Sequence, residues 1–419
     1  MHEILDYTPE RVILAAVDTG EYDAETSLDE LEELAKSAGA IPVARVLQKR
    51  SAPDSATCMG IGRLEEAAQL VEAEEIDIVI FDCELSATQL RNIEDILGCG
   101  VMDRTMLILD IFADRARSAE GRLQVELARL RYRLPRLAGR GKELSRIGGG
   151  GGGGAGARRG AGETQLETDR RHIRRRIETL QEQLDEMTQR RHLVRNRRRK
   201  DGVTSVAIVG YTNVGKSTLL NRLTGAGVLA ENKLFATLDP TARALALPDG
   251  RSVMLIDTVG LVRRLPHHLV EAFKSTLEEA TSADLVLNVC DASSPDALEQ
   301  QKVTTEMLRD LGAEDMPVLT VFNKCDLTPA LPLPFGSMVA AVSATTGEGL
   351  EDMLQKISKA LPISQRRMKL LLPYDKASLE NKIMEEGKIF SREYTNEGIL
   401  LDALVDVKLI KEAGEFEQK

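Results

Sequence analysis

The sequence predicts an α/β protein. It should hold an N-terminal parallel α/β domain, a long antiparallel helical hairpin, a phosphate-loop domain and a small α+β domain at the C-terminus. The phosphate-loop domain is expected to have a mostly parallel sheet with helices on both faces. Three observations predict this. Over residues 1–110, β-branched runs alternate with amphipathic stretches, the order that builds a parallel sheet flanked by helices. From Arg115 to Lys200 the apolar spacing becomes purely helical. At residues 210–217 a glycine loop lies between a strand-like run and a helix start. The expected domains are 1–112, 113–200, 201–362 and 363–419.

In the first domain, residues 11–17, 41–47 and 76–81 read as strands, and 28–37, 64–74 and 86–97 as helices. Gly60-Ile61-Gly62-Arg63 reads as a strand-to-helix connection, with a phosphate turn as the alternative. In the hairpin, Leu123, Leu127, Leu130, Leu134 and Leu137 form one stripe. Ile173, Ile177, Leu180, Leu184, Met187 and Val194 form the other. Pro135 should kink or end the first helix near its exit. The connecting loop, 148–162, is mostly glycine and carries Arg158 and Arg159, with Arg170, Arg171, Arg174, Arg175 and Arg176 just beyond. Such a backbone is costly to order alone, but it can approach nucleic acid closely and order on contact. In the last domain, 368–374, 389–394 and 399–409 read as strands and 378–386 as a helix, with no catalytic motif.

Charge supports the same division. Residues 115–200 hold 24 Lys/Arg against 10 Asp/Glu, while the rest holds 31 against 56. A basic segment on a protein of net charge −11 suggests a localised contact with a polyanion, with a solvated arginine-rich helical face as the alternative that charge alone leaves open. No apolar run approaches the roughly 18 residues that span a bilayer. The acidic start, Met1-His2-Glu3-Ile4-Leu5-Asp6, lacks the apolar region of a secretory signal. Cys58, Cys83, Cys99, Cys290 and Cys325 form no C-x-x-C pair and read as reduced residues of a cytoplasmic protein.

The chemistry starts at Gly210-Tyr211-Thr212-Asn213-Val214-Gly215-Lys216-Ser217, between a strand at 203–209 and a helix from 218. Backbone N–H groups and the helix N-terminus would cradle phosphates, Lys216 would reach the β- and γ-phosphates, and Ser217 would ligate Mg²⁺. Asp257-Thr258-Val259-Gly260 follows a strand at 252–256. There Asp257 would hold Mg²⁺ through water, and the Gly260 N–H would face the γ-phosphate. Asn323-Lys324-Cys325-Asp326 follows a strand at 318–322. Asp326 can accept from guanine N1–H and its exocyclic amine, a donor pair that adenine lacks. Ser343-Ala344-Thr345 follows 338–342, and the Ala344 N–H would bind guanine O6. Four such motifs in order, each at a strand's carboxyl end, specify a guanine-nucleotide site.

Between the first two motifs lies Asn232-Lys233-Leu234-Phe235-Ala236-Thr237-Leu238-Asp239-Pro240-Thr241. This is where a switch loop should add a second hydroxyl to Mg²⁺, and both Thr237 and Thr241 qualify chemically. Leu261 stands where Ras-like switches carry a water-orienting glutamine, so intrinsic hydrolysis should be slow unless another residue or a partner positions the nucleophile.

These motifs, with Phe235-Ala236-Thr237-Leu238-Asp239 and the upstream Gly160-Ala161-Gly162-Glu163-Thr164-Gln165-Leu166-Glu167-Thr168-Asp169-Arg170-Arg171, resemble the HflX GTPases. The resemblance runs from the N-terminal region to the end of the phosphate-loop domain and rests on layout alone beyond it. Ala161, where a proline is usual, and the long glycine run depart from the common form. The resemblance implies a GTPase that binds the large (50S) ribosomal subunit, places the hairpin loop near the peptidyl-transferase centre and splits stalled ribosomes. It favours Thr237 as the second Mg²⁺ ligand, so that Lys216, Thr237 and Gly260 would act on the γ-phosphate. It further implies a cytoplasmic protein, monomeric off the ribosome, with room for peripheral membrane association. A GTP-gated RNA-binding or assembly module without splitting activity is the rival reading, and a signalling switch whose hairpin meets a protein is a third.

Overall fold

The structure is a computed structural model that describes residues 9–137, 159–200, 203–225, 234–235, 241–264, 269, 280–313, 316–327, 336–362 and 365–418. The chain divides into two compact units. The first comprises residues 1–190, 231–239 and 262–275, and the second the remainder.

In the first unit, β1 (Arg11–Asp18), β2 (Ile41–Lys49), β3 (Ile78–Phe81) and β4 (Gly100–Asp103) form a parallel sheet of order β2-β1-β3-β4. Strand β1 is central, and its interior residues are buried on both faces, which explains its unbroken apolar run. Helices α2 (Ile61–Ala73) and α3 (Ala87–Leu97) cover one face, where Leu64, Ala67, Val71, Ile93 and Leu97 pack on Ile13, Ala15, Val79 and Phe81. Helix α1 (Ala24–Ser37) packs on β1 and β2 and meets α4 (Arg104–Arg115), which packs on β3 and β4. The helix starts are set by side-chain caps. Asp23 accepts from the N–H groups of Glu25 and Thr26, Ser86 and Gln89 form a reciprocal box, and Asp103 accepts from Met106 N–H. The pair β4–α4 lies beyond the elements read from sequence. Four strand residues are too few for a period-2 pattern to register.

Helix α5 (Ala119–Arg136) and α6 (Arg159–Lys200) form the hairpin. Ion pairing between Arg176 and Glu126, at 2.7 and 2.8 Å, ties them together. Pro135 lies in the last turn of α5, which ends one residue later. On α6 the expected stripe holds from Ile173 to Met187, with Leu180 fully buried, but Val194 is 51% exposed and falls outside it. On α5 the stripe is corrected. Only Leu127 of the five leucines is buried, beside Gln124, Val125, Ala128 and Tyr132, because α5 also packs against α4. Helix α6 takes in Gly160 to Gly162, so the loop expected to reach residue 162 ends by Arg159. The glycine run 148–157 and Arg158 lie outside the described residues.

In the second unit, β5 (Ser205–Gly210), β6 (Thr241–Ala246), β7 (Ser252–Asp257), β8 (Leu285–Asp291), β9 (Val318–Asn323) and β10 (Val339–Ala341) form a mixed sheet of order β10-β9-β8-β5-β7-β6. Every pairing is parallel except β6–β7. Leu219 and Leu220 of α7 (Lys216–Thr224) share a core with Met353 and Ile357 of α9 (Leu350–Ala360) and with Ile208, Leu255 and Leu287. Ala207, Val209 and Val286 share the opposite core with Leu308 of α8 (Ala297–Asp310).

The same unit carries a small antiparallel sheet of β11 (Gln365–Leu372), β12 (Lys388–Tyr394) and β13 (Ile399–Asp406), in the order β11-β13-β12. Leu379 and Ile383 of α10 (Ala377–Glu386) pack on Leu370 and Leu401. The strand expected over 399–409 stops at Asp406, whose carboxylate accepts from Lys408 N–H and starts α11 (Val407–Ala413). Val407, Leu409 and Ile410 extend an apolar run whose local cap, not its hydrophobicity, decides the change of structure.

Candidate guanine-nucleotide site

All four motifs lie at the carboxyl ends of strands in the six-stranded sheet, and three hydrogen bonds link them in one chain. The phosphate loop leaves β5 through Gly210 (φ +150°), passes Asn213 (φ +61°) and enters α7 through Gly215 (φ +92°). Glycine is demanded sterically at two of these positions. A Cβ on Gly210 would lie 2.2 Å from the Val289 carbonyl oxygen, and one on Gly215 would lie 2.4 Å from Asn323 Nδ2. Thr212 is buried, and its N–H donates to the Leu261 carbonyl at 2.8 Å.

Lys216 is 7% exposed, and its Nζ donates to the carbonyls of Gly210 and Tyr211 at 3.1 and 2.8 Å. Burial pulls its pKa down to about 8, a shift that the Asp257 carboxylate partly opposes. Ser217 Oγ donates to Asp257 Oδ2 at 2.7 Å, so the first two motifs meet through this bond. A hydroxyl beside a buried carboxylate is the hard oxygen donor set that suits Mg²⁺. Thr258 is fully buried, with its hydroxyl donating to the Ile208 carbonyl at 2.7 Å. Gly260 leaves no room for a side chain, since a Cβ there would be 2.7 Å from Thr212 Cγ2 and 3.1 Å from Lys216 Nζ.

Asn323 carries the connection to the fourth motif. It accepts from Ala344 N–H at 2.9 Å and donates to the Val214 carbonyl at 2.8 Å. Lys324 has a left-handed backbone (φ +64°) and pairs with Asp291 at 2.7 Å, whereas Asp326 is exposed. Cys325 N–H donates to the Val342 carbonyl. Ser343 is buried, its Oγ accepting from Thr346 N–H, and Thr345 is exposed.

Leu261 is 4% exposed and belongs to the core of the sheet, and its N–H donates back to Gly210. Its side chain fills packing space, which accounts for an apolar residue at that position. Thr241 is the first residue of β6, opposite Asp257 in the β6–β7 ladder. Ala236, Thr237, Leu238 and Asp239 lie outside the described residues.

Phe235 has a left-handed backbone (φ +56°) and is buried in the first unit, its ring edge-on to Phe112 at 4.6 Å. Within the same unit Arg264 Nη1 binds Asp82 Oδ2 at 3.0 Å and its guanidinium lies 4.0 Å over the Tyr22 ring. Asp291 and Asp82 escaped the sequence reading. Each stands at the end of an apolar strand, where a lone carboxylate is a weak but available signal.

Family models match along nearly the whole length. They are described as "GTP-binding GTPase N-terminal" over 25–113, "GTP-binding GTPase Middle Region" over 115–198, "50S ribosome-binding GTPase" over 205–324 and "HflX C-terminal domain" over 336–419. The GTPase HflX of Caldanaerobacter subterraneus subsp. tengcongensis is 50% identical over 400 residues, covering 96% of this chain and 92% of that protein. The GTPase HflX of Lacrimispora saccharolytica is 48% identical over 96% of this chain and 94% of its own length. The Escherichia coli GTPase HflX is 40% identical over 95% and 91%. Among the described residues, no helix is long and apolar enough to cross a membrane.

Proposed function

The chain belongs to the HflX family of GTPases, and from that premise we propose that it is a cytoplasmic, ribosome-associated factor. In this reading it binds the large ribosomal subunit and, charged with GTP, dissociates stalled or idle ribosomes under stress. The observation that carries the nucleotide half is Asn323, whose amide ties the phosphate loop at Val214 to the base-side motif at Ala344. A site joined in this way closes on both ends of one nucleotide. The basic segment 115–200 supports the ribosomal half as a surface for rRNA. The functional domains proposed are 1–112, 113–200, 201–362 and 363–419.

Hydrolysis in this site is in-line attack of water on the γ-phosphate, driven by positioning and charge. Residues 210–217 hold the phosphates, and Lys216 supplies the point charge on the β- and γ-oxygens. Ser217 and Thr237 would hold Mg²⁺, with Asp257 acting through water, and the ion would neutralise charge developing on the phosphate oxygens. Gly260 offers its N–H to the γ-phosphate. Asp326 and Ala344 read guanine, and Asn323, Lys324, Cys325, Ser343 and Thr345 shape the pocket. The switch loop in this reading is the stretch 232–241, and Thr237 would be its Mg²⁺ ligand. The Leu261 side chain offers no hydrogen bond to water, so another residue or a partner completes the positioning of the nucleophile.

Sedimentation of purified ribosomes and subunits with the protein and a non-hydrolysable GTP analogue tests this reading. Co-migration with the large subunit and loss of intact ribosomes are expected. Binding without splitting would leave a GTP-gated assembly or RNA-binding module, and absence of binding would overturn the ribosomal reading.

A further inference from the structure

Two of the five cysteines, 25 residues apart in sequence, face each other in the first unit with their sulfurs 3.2 Å apart. Cys83 follows the end of β3 and is partly exposed; Cys58 is 2% exposed and sits in the turn before α2. That turn is built to hold it. The Asp54 carboxylate accepts from Ala56 and Thr57 N–H, and Asp54 and Cys58 exchange both backbone hydrogen bonds. Cys58 itself adopts a left-handed backbone (φ +61°), which is costly for any residue but glycine and is kept here by the surrounding bonds. Closing the sulfurs to a bond length of about 2.05 Å needs roughly 1.2 Å of movement.

The geometry points to Cys58 and Cys83 as a redox-active dithiol that takes two electrons' worth of oxidation from a hydroperoxide and stores it as a reversible intramolecular disulfide. The Cys58 sulfur attacks one peroxide oxygen, the O–O bond breaks, and the other oxygen leaves as water or an alcohol, giving a sulfenic acid on Cys58. The Cys83 sulfur then attacks the Cys58 sulfur. Hydroxide leaves, takes up the Cys83 proton as water, and the S–S bond forms.

The electrostatics favour this order. The Cys83 S–H, with the nearby Arg50 guanidinium, lowers the Cys58 pKa, so Cys58 is the readier thiolate. Burial raises Cys99, Cys325 and Cys290, the last to about 12. The disulfide would lie one residue from Asp82, the carboxylate that holds Arg264.

The test uses the full chain, reduced, desalted and exposed to graded hydrogen peroxide, with remaining thiols blocked and peptides mapped by mass. A Cys58–Cys83 cross-link, lighter by two hydrogens and reversed by dithiothreitol, should form at least tenfold faster than any oxidation of Cys99 or Cys325. In C83S, a dimedone adduct should accumulate on Cys58 instead. Oxidation of Cys99 or Cys325 at an equal or greater rate would overturn the proposal in the unmodified protein, whatever the variant does. So would cross-links joining two chains.

Discussion

The side-chain amide of Asn323 donates to the Val214 carbonyl at 2.8 Å, joining the end of β9 to the phosphate loop. The same side chain receives Ala344 N–H, so its removal strands two buried groups at once. Each unsatisfied group costs about 1–3 kcal/mol. Asn323→Ala should therefore weaken guanine-nucleotide binding by roughly 10–100-fold. Titration with a fluorescent GDP analogue checks this, and a change below twofold would remove the bridging role.

The buried Lys216 makes nucleotide affinity depend on pH. Its pKa is near 8 without phosphates, and a polyphosphate at the proposed site raises it by favouring the charged amine. Binding is then insensitive to pH below 8. Above 8 it takes up a proton, and affinity falls by up to about tenfold per pH unit until the pKa of the complex is reached. Calorimetry in buffers of different ionisation enthalpy should record close to one proton taken up at pH 9, and none in Lys216→Met. For folding the sign is opposite. A lowered lysine pKa destabilises the native state below about 8, and stability from this group recovers as pH rises from 8 towards the unfolded value.

Asp326 is exposed, as a group that must meet a ligand's edge should be. As the proposed guanine reader, its carboxylate pairs with two donors of the base. Asp326→Asn should shift preference from guanine towards xanthine nucleotides, whose 2-oxo group accepts where guanine donates. Competition binding with both nucleotides decides it, and unchanged guanine selectivity would remove the assignment.

How much was legible in the sequence divides along a physical line. Strands buried on both faces, such as β1 and β5, announce themselves as continuous apolar runs. The phosphate loop is legible because its glycines are forced by contacts as close as 2.2 Å. The facing of α5 was not legible, because a helix packed against two neighbours has no single stripe, and its leucines other than Leu127 are only partly buried. Nor was the approach of Cys58 to Cys83, which depends on a left-handed turn that no local pattern encodes. The anchoring of Phe235 on Phe112 and of Arg264 on Asp82 joins residues more than a hundred positions apart. Pairings at that separation leave no periodic trace.

Asp82 also carries a stability prediction. It is fully buried, receives Arg104 Nη1 at 2.7 Å and Arg264 Nη1 at 3.0 Å, and hydrogen-bonds Ser27 at 2.5 Å. Arg104, itself 4% exposed, also pairs with Glu30. Arg104→Leu removes one of the two guanidinium groups on buried Asp82, together with the ion pair to Glu30, and should destabilise the first unit by about 3–5 kcal/mol. Urea unfolding followed by circular dichroism measures the loss. A cost under about 1 kcal/mol would mean that water or Arg264 replaces the missing cation.

The hairpin arginines should couple the proposed partner to the chemistry. Arg176 is engaged with Glu126, but Arg171, Arg174 and Arg175 on α6 are exposed, and Arg174 has only a distant acid, Glu167 at 3.8 Å. Exposed guanidinium groups on one helix suit phosphates, and each phosphate neutralised releases condensed counterions. Because Leu261 is buried and cannot orient water, hydrolysis should be slow alone and faster on large ribosomal subunits. The stimulation should weaken steeply as salt rises. Replacing Arg158, Arg159, Arg170 and Arg171 by glutamine should cut subunit binding about tenfold or more, with a shallower salt slope. Affinity for GTP should stay within about twofold, since none of these residues belongs to the phosphate cradle. Lower GTP affinity without subunits would place the hairpin in the nucleotide site. Equal hydrolysis with and without subunits would remove the ribosome as the activating partner.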